Sequence, residues 1–268
     1  MKVKSFIRRN PITVYFVLTF VISWLRPFLL VAPKLFKGET IEKMDGLMMF
    51  PVMLIGPSLT GIGLTAILYG KKGLGKLFSS IGTWNISLKW YSVLLIPPVV
   101  ISLVLFVLNK VYPNEFHPHY FFIGILFGIP AGLLEEIGWT GFALPHLQSK
   151  FNLVTSAIIL GLLWGLWHWP VIDFLGSATP HGKFLLLFFA AFIIAMTAIR
   201  VIICWIYAGT RSVLAAQFFH ISSTGFLVVL SPQPISPQYE VLWYLVYASV
   251  LWLLIIIWGR RLFAATVR

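Results

Sequence analysis

The stretch Ala131-Gly-Leu-Leu-Glu135-Glu136-Ile-Gly-Trp139-Thr140-Gly-Phe-Ala-Leu-Pro145 sets two adjacent acids in an apolar run, in a chain of 268 residues with only eight Asp and Glu. Outside this run the sequence is apolar almost throughout: 59% hydrophobic, 16% aromatic and 10% charged, with a mean hydropathy of +0.92. A soluble domain needs about a quarter of its residues charged to cover its surface. This composition therefore excludes a disordered chain, a secreted disulfide scaffold and an ordinary cytosolic enzyme, and it predicts a polytopic membrane protein. The single cysteine, Cys204, excludes an intrachain disulfide and a thiolate metal cluster.

A spanning helix needs about 20 mostly apolar residues. Eight runs qualify: 11–31, 46–69, 90–109, 118–142, 153–171, 184–207, 212–230 and 241–258. They are continuous rather than alternating, which excludes a β-barrel. The fold class is all-α, with about eight transmembrane helices. No repeat or long linker divides the chain, so residues 1–268 form a single integral-membrane domain. Lys2 to Arg9 precede the first run as in a signal peptide, but Arg26-Pro27 and a second apolar piece follow it where a cleavage site would stand, so this run is a retained anchor.

Positive charge orients membrane proteins. With both termini cytoplasmic, the inner side holds Lys2, Lys4, Arg8, Arg9, Lys71, Lys72, Lys76, Lys89, Lys150, Arg200, Arg211, Arg260, Arg261 and Arg268. The outer side holds only Lys34, Lys37, Lys43, Lys110 and Lys183. The net charge of +12 is thus topology and contact with anionic lipid, not a nucleic-acid footprint. The expected location is the cell membrane.

Ionisable groups at membrane depth cost about 3 kcal/mol each on insertion scales, so they mark function by default. Neighbours on a helix point about 100° apart, so Glu135 and Glu136 have different jobs: one faces a cavity and the other pairs structurally. His168 follows Trp164 by four residues and shares its helix face; His220 precedes Thr224 in the same way. A carboxylate and two imidazoles on separate helices can meet in a bundle core and activate water. The basic pair Arg200 and Arg211 reads as residues snorkelling to the cytoplasmic interface, with a salt bridge from the pair to Glu136 as the lesser reading. His117, His119, His146 and His181 read as interfacial loop residues.

The order Glu135-Glu136 with Trp139 and Gly141, then His168 four after an aromatic, then His220 with a polar residue four later, resembles the CPBP family of intramembrane proteases. That family unites CAAX prenyl endopeptidases with bacteriocin-processing and abortive-infection proteins. The resemblance spans about 120–230. Three positions depart from it: Thr140 stands where the family has arginine, Trp164 where it has phenylalanine, and Thr224 where it has asparagine or aspartate.

The resemblance implies an endopeptidase acting on a peptide or lipidated protein at the membrane, by CAAX-type or leader-peptide processing. Glu135 and His168 would polarise a water, Glu135 acting as the base, while His220 and Thr224 donate to the oxyanion; Glu136 completes the site. A zinc version would use Glu135, His168 and His220 as ligands. With no His-Glu-x-x-His motif, the cofactor-free glutamate version is favoured. The alternatives are a catalytically weak or inactive immunity or binding protein of the same fold, and a small proton-linked transporter using the glutamates, although the inverted repeats a transporter would show are missing. Counting residues from the helix ends puts His168 some 10 Å too far outward to meet Glu135, unless its helix starts later, tilts or breaks at Gly161 and Gly165.

Overall fold

The computed structural model describes residues 2–176, 181–232 and 235–264; Arg268, one of the charges counted on the inner side, lies outside them. In chain order the helices are α1 (Lys2–Arg9), α2 (Pro11–Lys37), α3 (Lys43–Ile81), α4 (Leu88–Val111), α5 (Phe122–Gln148), α6 (Leu153–Trp167), α7 (Trp169–Gly176), α8 (Gly182–Thr210), α9 (Val213–Leu230) and α10 (Pro237–Ala264). Among the described residues no β-strand forms, and seven helices are long and apolar enough to cross a membrane. The fold is the expected all-α polytopic one. The eighth predicted span is the shorter α6, which ends three residues before Pro170.

Local sequence sets the boundaries. Pro11 starts α2, and Gly38 ends it at φ 70°, a conformation with no steric cost for glycine. Glu42 and Asp45 form a capping box at the start of α3, and Lys34 of α2 reaches Asp45 at 2.7 Å. That ammonium contact, with the Glu42 backbone N–H, holds the Asp45 carboxyl below its ordinary value. Within α3, Gly70 sits at φ 60° and ψ −154°, which breaks the helix and turns its basic Lys71–Lys76 portion away from the apolar part. Asn152 caps α6 by accepting from the Thr155 amide at 2.8 Å, and Ser212 caps α9 through Ala215 at 3.0 Å.

The centre of the bundle is α5, lying between α3 and α9, while α8 packs on α6, α9 and α10. Small residues make the central contact possible. A Cβ on Gly132 would lie 2.6 Å from the Gln217 carbonyl oxygen, and one on Gly128 would lie 2.7 Å from the Gly225 amide nitrogen. Close backbone approach through small residues is how helices associate where lipid removes the hydrophobic driving force. The same contact is locked by polar side chains: Gln217 Nε2 donates to the Leu133 carbonyl at 2.8 Å, and Ser58 of α3 donates to the Leu134 carbonyl. Two consecutive peptide groups just before Glu135 are thereby held from opposite sides.

Gly161 and Gly165 break nothing, since α6 is continuous from Leu153 to Trp167. They serve instead as a groove for α8: a Cβ on Gly161 would lie 2.8 Å from the Thr197 Cα, and one on Gly165 would lie 3.2 Å from the Ile193 Cα.

Replacing Gly132 by leucine should therefore force α5 off α9, at a cost of about 1–3 kcal/mol from overpacking. The check is the thermal unfolding midpoint in detergent, which should fall; an unchanged midpoint would mean the two helices do not depend on this approach.

Candidate active site

Glu135 and Glu136 lie in the last turn of the first α-helical part of α5, Ile125–Gly138, and a π-helical turn, Trp139–Ala143, follows that part. Such turns occur often at functional sites because the extra residue re-aims side chains. Both glutamates are buried. They point to different partners, as their adjacency requires.

Glu136 faces α8 and α9. Arg200 Nη1 donates to both of its oxygens, at 2.9 and 2.8 Å, His220 Nδ1 donates to Oε1 at 2.6 Å, and the Thr140 hydroxyl donates to Oε2. The carboxylate is fully enclosed, and these charge-assisted bonds replace the water it lost. The bond to Nδ1 fixes the His220 ring and leaves its Nε2 for other work.

Glu135 faces α6. Its Oε2 accepts from two indoles, Trp164 Nε1 at 2.7 Å and Trp139 Nε1 at 3.2 Å, while Oε1 accepts no hydrogen bond from the described residues. Trp164 is the hub of the site. Its ring meets the His168 and His220 rings edge-on, each at 5.1 Å between centroids, and the Arg200 guanidinium carbon lies 4.2 Å above it. Its carbonyl accepts from His168 Nδ1 at 2.7 Å. His168, half-buried at the end of α6, therefore carries its proton on Nδ1 and has Nε2 as an acceptor. Thr224 is half-buried one turn after His220, and its hydroxyl makes no hydrogen bond to described residues.

The structure thus brings Glu135, His168 and His220 around one indole, with Glu136 joined to them through His220 and Thr224 one turn away. Glu135 meets α6 through the indole of Trp164, one turn before His168. Arg200 corrects an expectation: it is fully buried and paired with Glu136, not snorkelling and not a loop charge. It lies ten residues from the end of α8, about 15 Å, which is beyond the reach of its side chain; in the sequence the available signal was its place seven residues inside the end of the apolar run 184–207. Two of the supposed loop histidines are also placed otherwise. His181 is buried, 2.8 Å from Glu240 and stacked on Phe188, and His146 lies in α5, bonded to Tyr69 and the Phe142 carbonyl.

Among the described residues no group of three His, Cys, Asp or Glu side chains is placed to hold a metal ion. Glu135, His168 and His220 stand around the Trp164 indole rather than around a common point, so these side-chain positions do not fit a zinc ion.

Fold and site together define an all-helical membrane protein with a carboxylate–imidazole cluster in its bundle core. Residues 117–226 match the family of Rce1-like type II CAAX prenyl endopeptidases. Over 103 residues the chain is 32% identical to the CAAX prenyl protease 2 of Methanococcus maripaludis, covering 37% of this chain and 38% of that protein. The chain thus matches well under half the length of this curated relative. The resemblance to the CPBP family drawn from the motif order is borne out, and the matched segment contains every site residue from Glu135 to Thr224.

Phenylalanine at Trp164 would keep an aromatic ring but remove the N–H that holds Glu135. A buried carboxylate losing such a bond should lower stability by about 1.5–3 kcal/mol. Thermal unfolding in detergent would read this, and the same change at exposed Trp84 should leave the midpoint unmoved.

Proposed function

We propose that the chain is an intramembrane endopeptidase of CAAX type, resident in the cell membrane, that hydrolyses a peptide bond near the carboxy terminus of a lipidated protein with water activated by Glu135 and His168. The observation that carries this reading is the division of labour between the two glutamates: one pinned through one oxygen only, the other consumed in holding a histidine. The family match over the same segment and the name of the curated relative support the substrate class.

In the proposed cycle a water sits between Glu135 Oε1 and His168 Nε2. Glu135 takes a proton as the water oxygen bonds to the scissile carbonyl carbon, and the carbonyl electron pair moves onto its oxygen. His220, protonated on both nitrogens and held through Nδ1 by Glu136, donates from Nε2 to that oxyanion, and the Thr224 hydroxyl donates beside it. When the C–N bond breaks, Glu135 returns its proton to the departing amine. The two indoles on Glu135 Oε2 keep the free oxygen aimed without competing for the water, since an indole N–H only donates. No cofactor enters this cycle.

Glutamine at Glu135 should lower kcat by about 10²–10⁴-fold on an internally quenched farnesylated CAAX peptide, with the fold retained. Retained cleavage would sink the mechanism. Valine at Thr224 removes one donor and should reduce kcat by about 10²-fold. Activity should also survive excess 1,10-phenanthroline; its loss, with restoration by added zinc, would replace this cycle with a metal-dependent one.

A further inference from the structure

Arg200 stands outside the catalytic steps just described, yet it touches both halves of the site. Its Nη1 bridges the two oxygens of Glu136, the carboxylate that holds His220, and its guanidinium carbon lies 4.2 Å over the ring of Trp164, the indole that holds Glu135. Its side chain is fully enclosed, while Nε and Nη2 find no acceptor among the described residues. Burying a cation with two N–H groups unpaired is costly. Thr140 donates to the same carboxylate from one turn further along α5. An arginine at 140 would reach Glu136 at that spacing, and the resemblance places one there.

We propose that Arg200 is the positioning residue of this site: it supplies from α8 the cation that an arginine at 140 would supply from α5, and by lying over the Trp164 ring it keeps the Glu135 half in register with the Glu136–His220 half. The need for a flat cation separates Arg200 from lysine, whose compact ammonium can pair with a carboxylate but cannot bridge both oxygens while covering an indole face. The activity readout below rests on the endopeptidase reading; the stability readout does not.

The test uses the full chain in proteoliposomes with the quenched farnesylated CAAX peptide, and thermal unfolding of the same preparations. Arg200→Thr should lower kcat about 100-fold at unchanged KM, the cost of misplacing groups that never touch substrate. Arg200→Lys should recover most of the unfolding midpoint but little of kcat. Exchanging the two side chains, Thr140→Arg with Arg200→Thr, keeps the same atoms in the core and should restore both the midpoint and kcat above those of Arg200→Thr alone. Where Arg200→Thr fails to fold, Glu136→Gln with Arg200→Thr removes the stranded charge and should fold better than that single variant. Arg200→Thr with near-normal kcat, a fully active Arg200→Lys, or an exchange that recovers nothing would each overturn the proposal. A wild-type protein inert toward the peptide would overturn the proposed function instead; the midpoints then decide the present inference, with independent, additive losses for Glu136→Gln and Arg200→Thr counting against it.

Discussion

The enclosed carboxylate of Glu136 is the constraint on which the rest of the core depends. An unpaired carboxylate in a low-dielectric interior is untenable, and every group that satisfies this one comes from a different part of the chain: Thr140 from the π-helical turn, Arg200 from α8 and His220 from α9. Three structural decisions follow. Helix α9 must approach α5 closely enough for an imidazole to reach, which is why Gly128 meets the backbone of Gly225 and Gly132 meets the Gln217 carbonyl without a Cβ of their own. Helix α8 must carry a cation deep in an apolar run, between isoleucines and valine. The peptides before Glu136 must not move, and Gln217 and Ser58 hold them.

Once Glu136 is committed to structure, Glu135 is released from it. The two residues differ by one position and about 100° of helix, and that rotation alone sends one toward two basic groups and the other toward two indoles. The indoles matter because they donate and cannot accept. They hold a carboxylate in place without neutralising it and without offering a competing site for the proton it would take from water. Trp164 then couples the halves, since its ring also lies against His168, His220 and Arg200.

Much of this was legible in the residues. Hydropathy set the class of fold because lipid leaves a chain few alternatives, and scarce acids and histidines inside apolar runs pointed to Glu135, Glu136, His168 and His220. What escaped was which groups satisfy one another across helices. Arg200 read as a snorkelling residue because arginines near helix ends usually are, yet its place seven residues inside the end of the apolar run 184–207 argued otherwise. Trp164 read as a packing partner for an imidazole; that its N–H serves Glu135 and its carbonyl serves His168 depends on the packing of α6 against α5 and α8, which no local pattern encodes. His181 and Glu240 lie 59 residues apart, and their pairing is equally invisible along the chain. The glycines of α6 were offered as one possible site of a break, where the close approach of α8 uses them as a groove.

The shortness of α6 explains the orientation of His168. Fifteen residues rise about 22 Å, less than the roughly 30 Å of a hydrocarbon core, so α6 is too short to cross one by itself. A helix end leaves carbonyls without amide partners, and a buried one must be satisfied by other groups. Side chains do so here. Trp24 of α2 donates to the Trp167 carbonyl at 3.0 Å, and His168 turns its own Nδ1 back to the Trp164 carbonyl. The ring is thus oriented by the need to close the helix, and the same bond sets which nitrogen keeps the proton. A longer α6 would satisfy the Trp164 carbonyl with a backbone amide and leave the imidazole free to rotate. Ending the helix early turns a structural deficit into a histidine of fixed direction and fixed tautomer, one turn from the indole that holds Glu135.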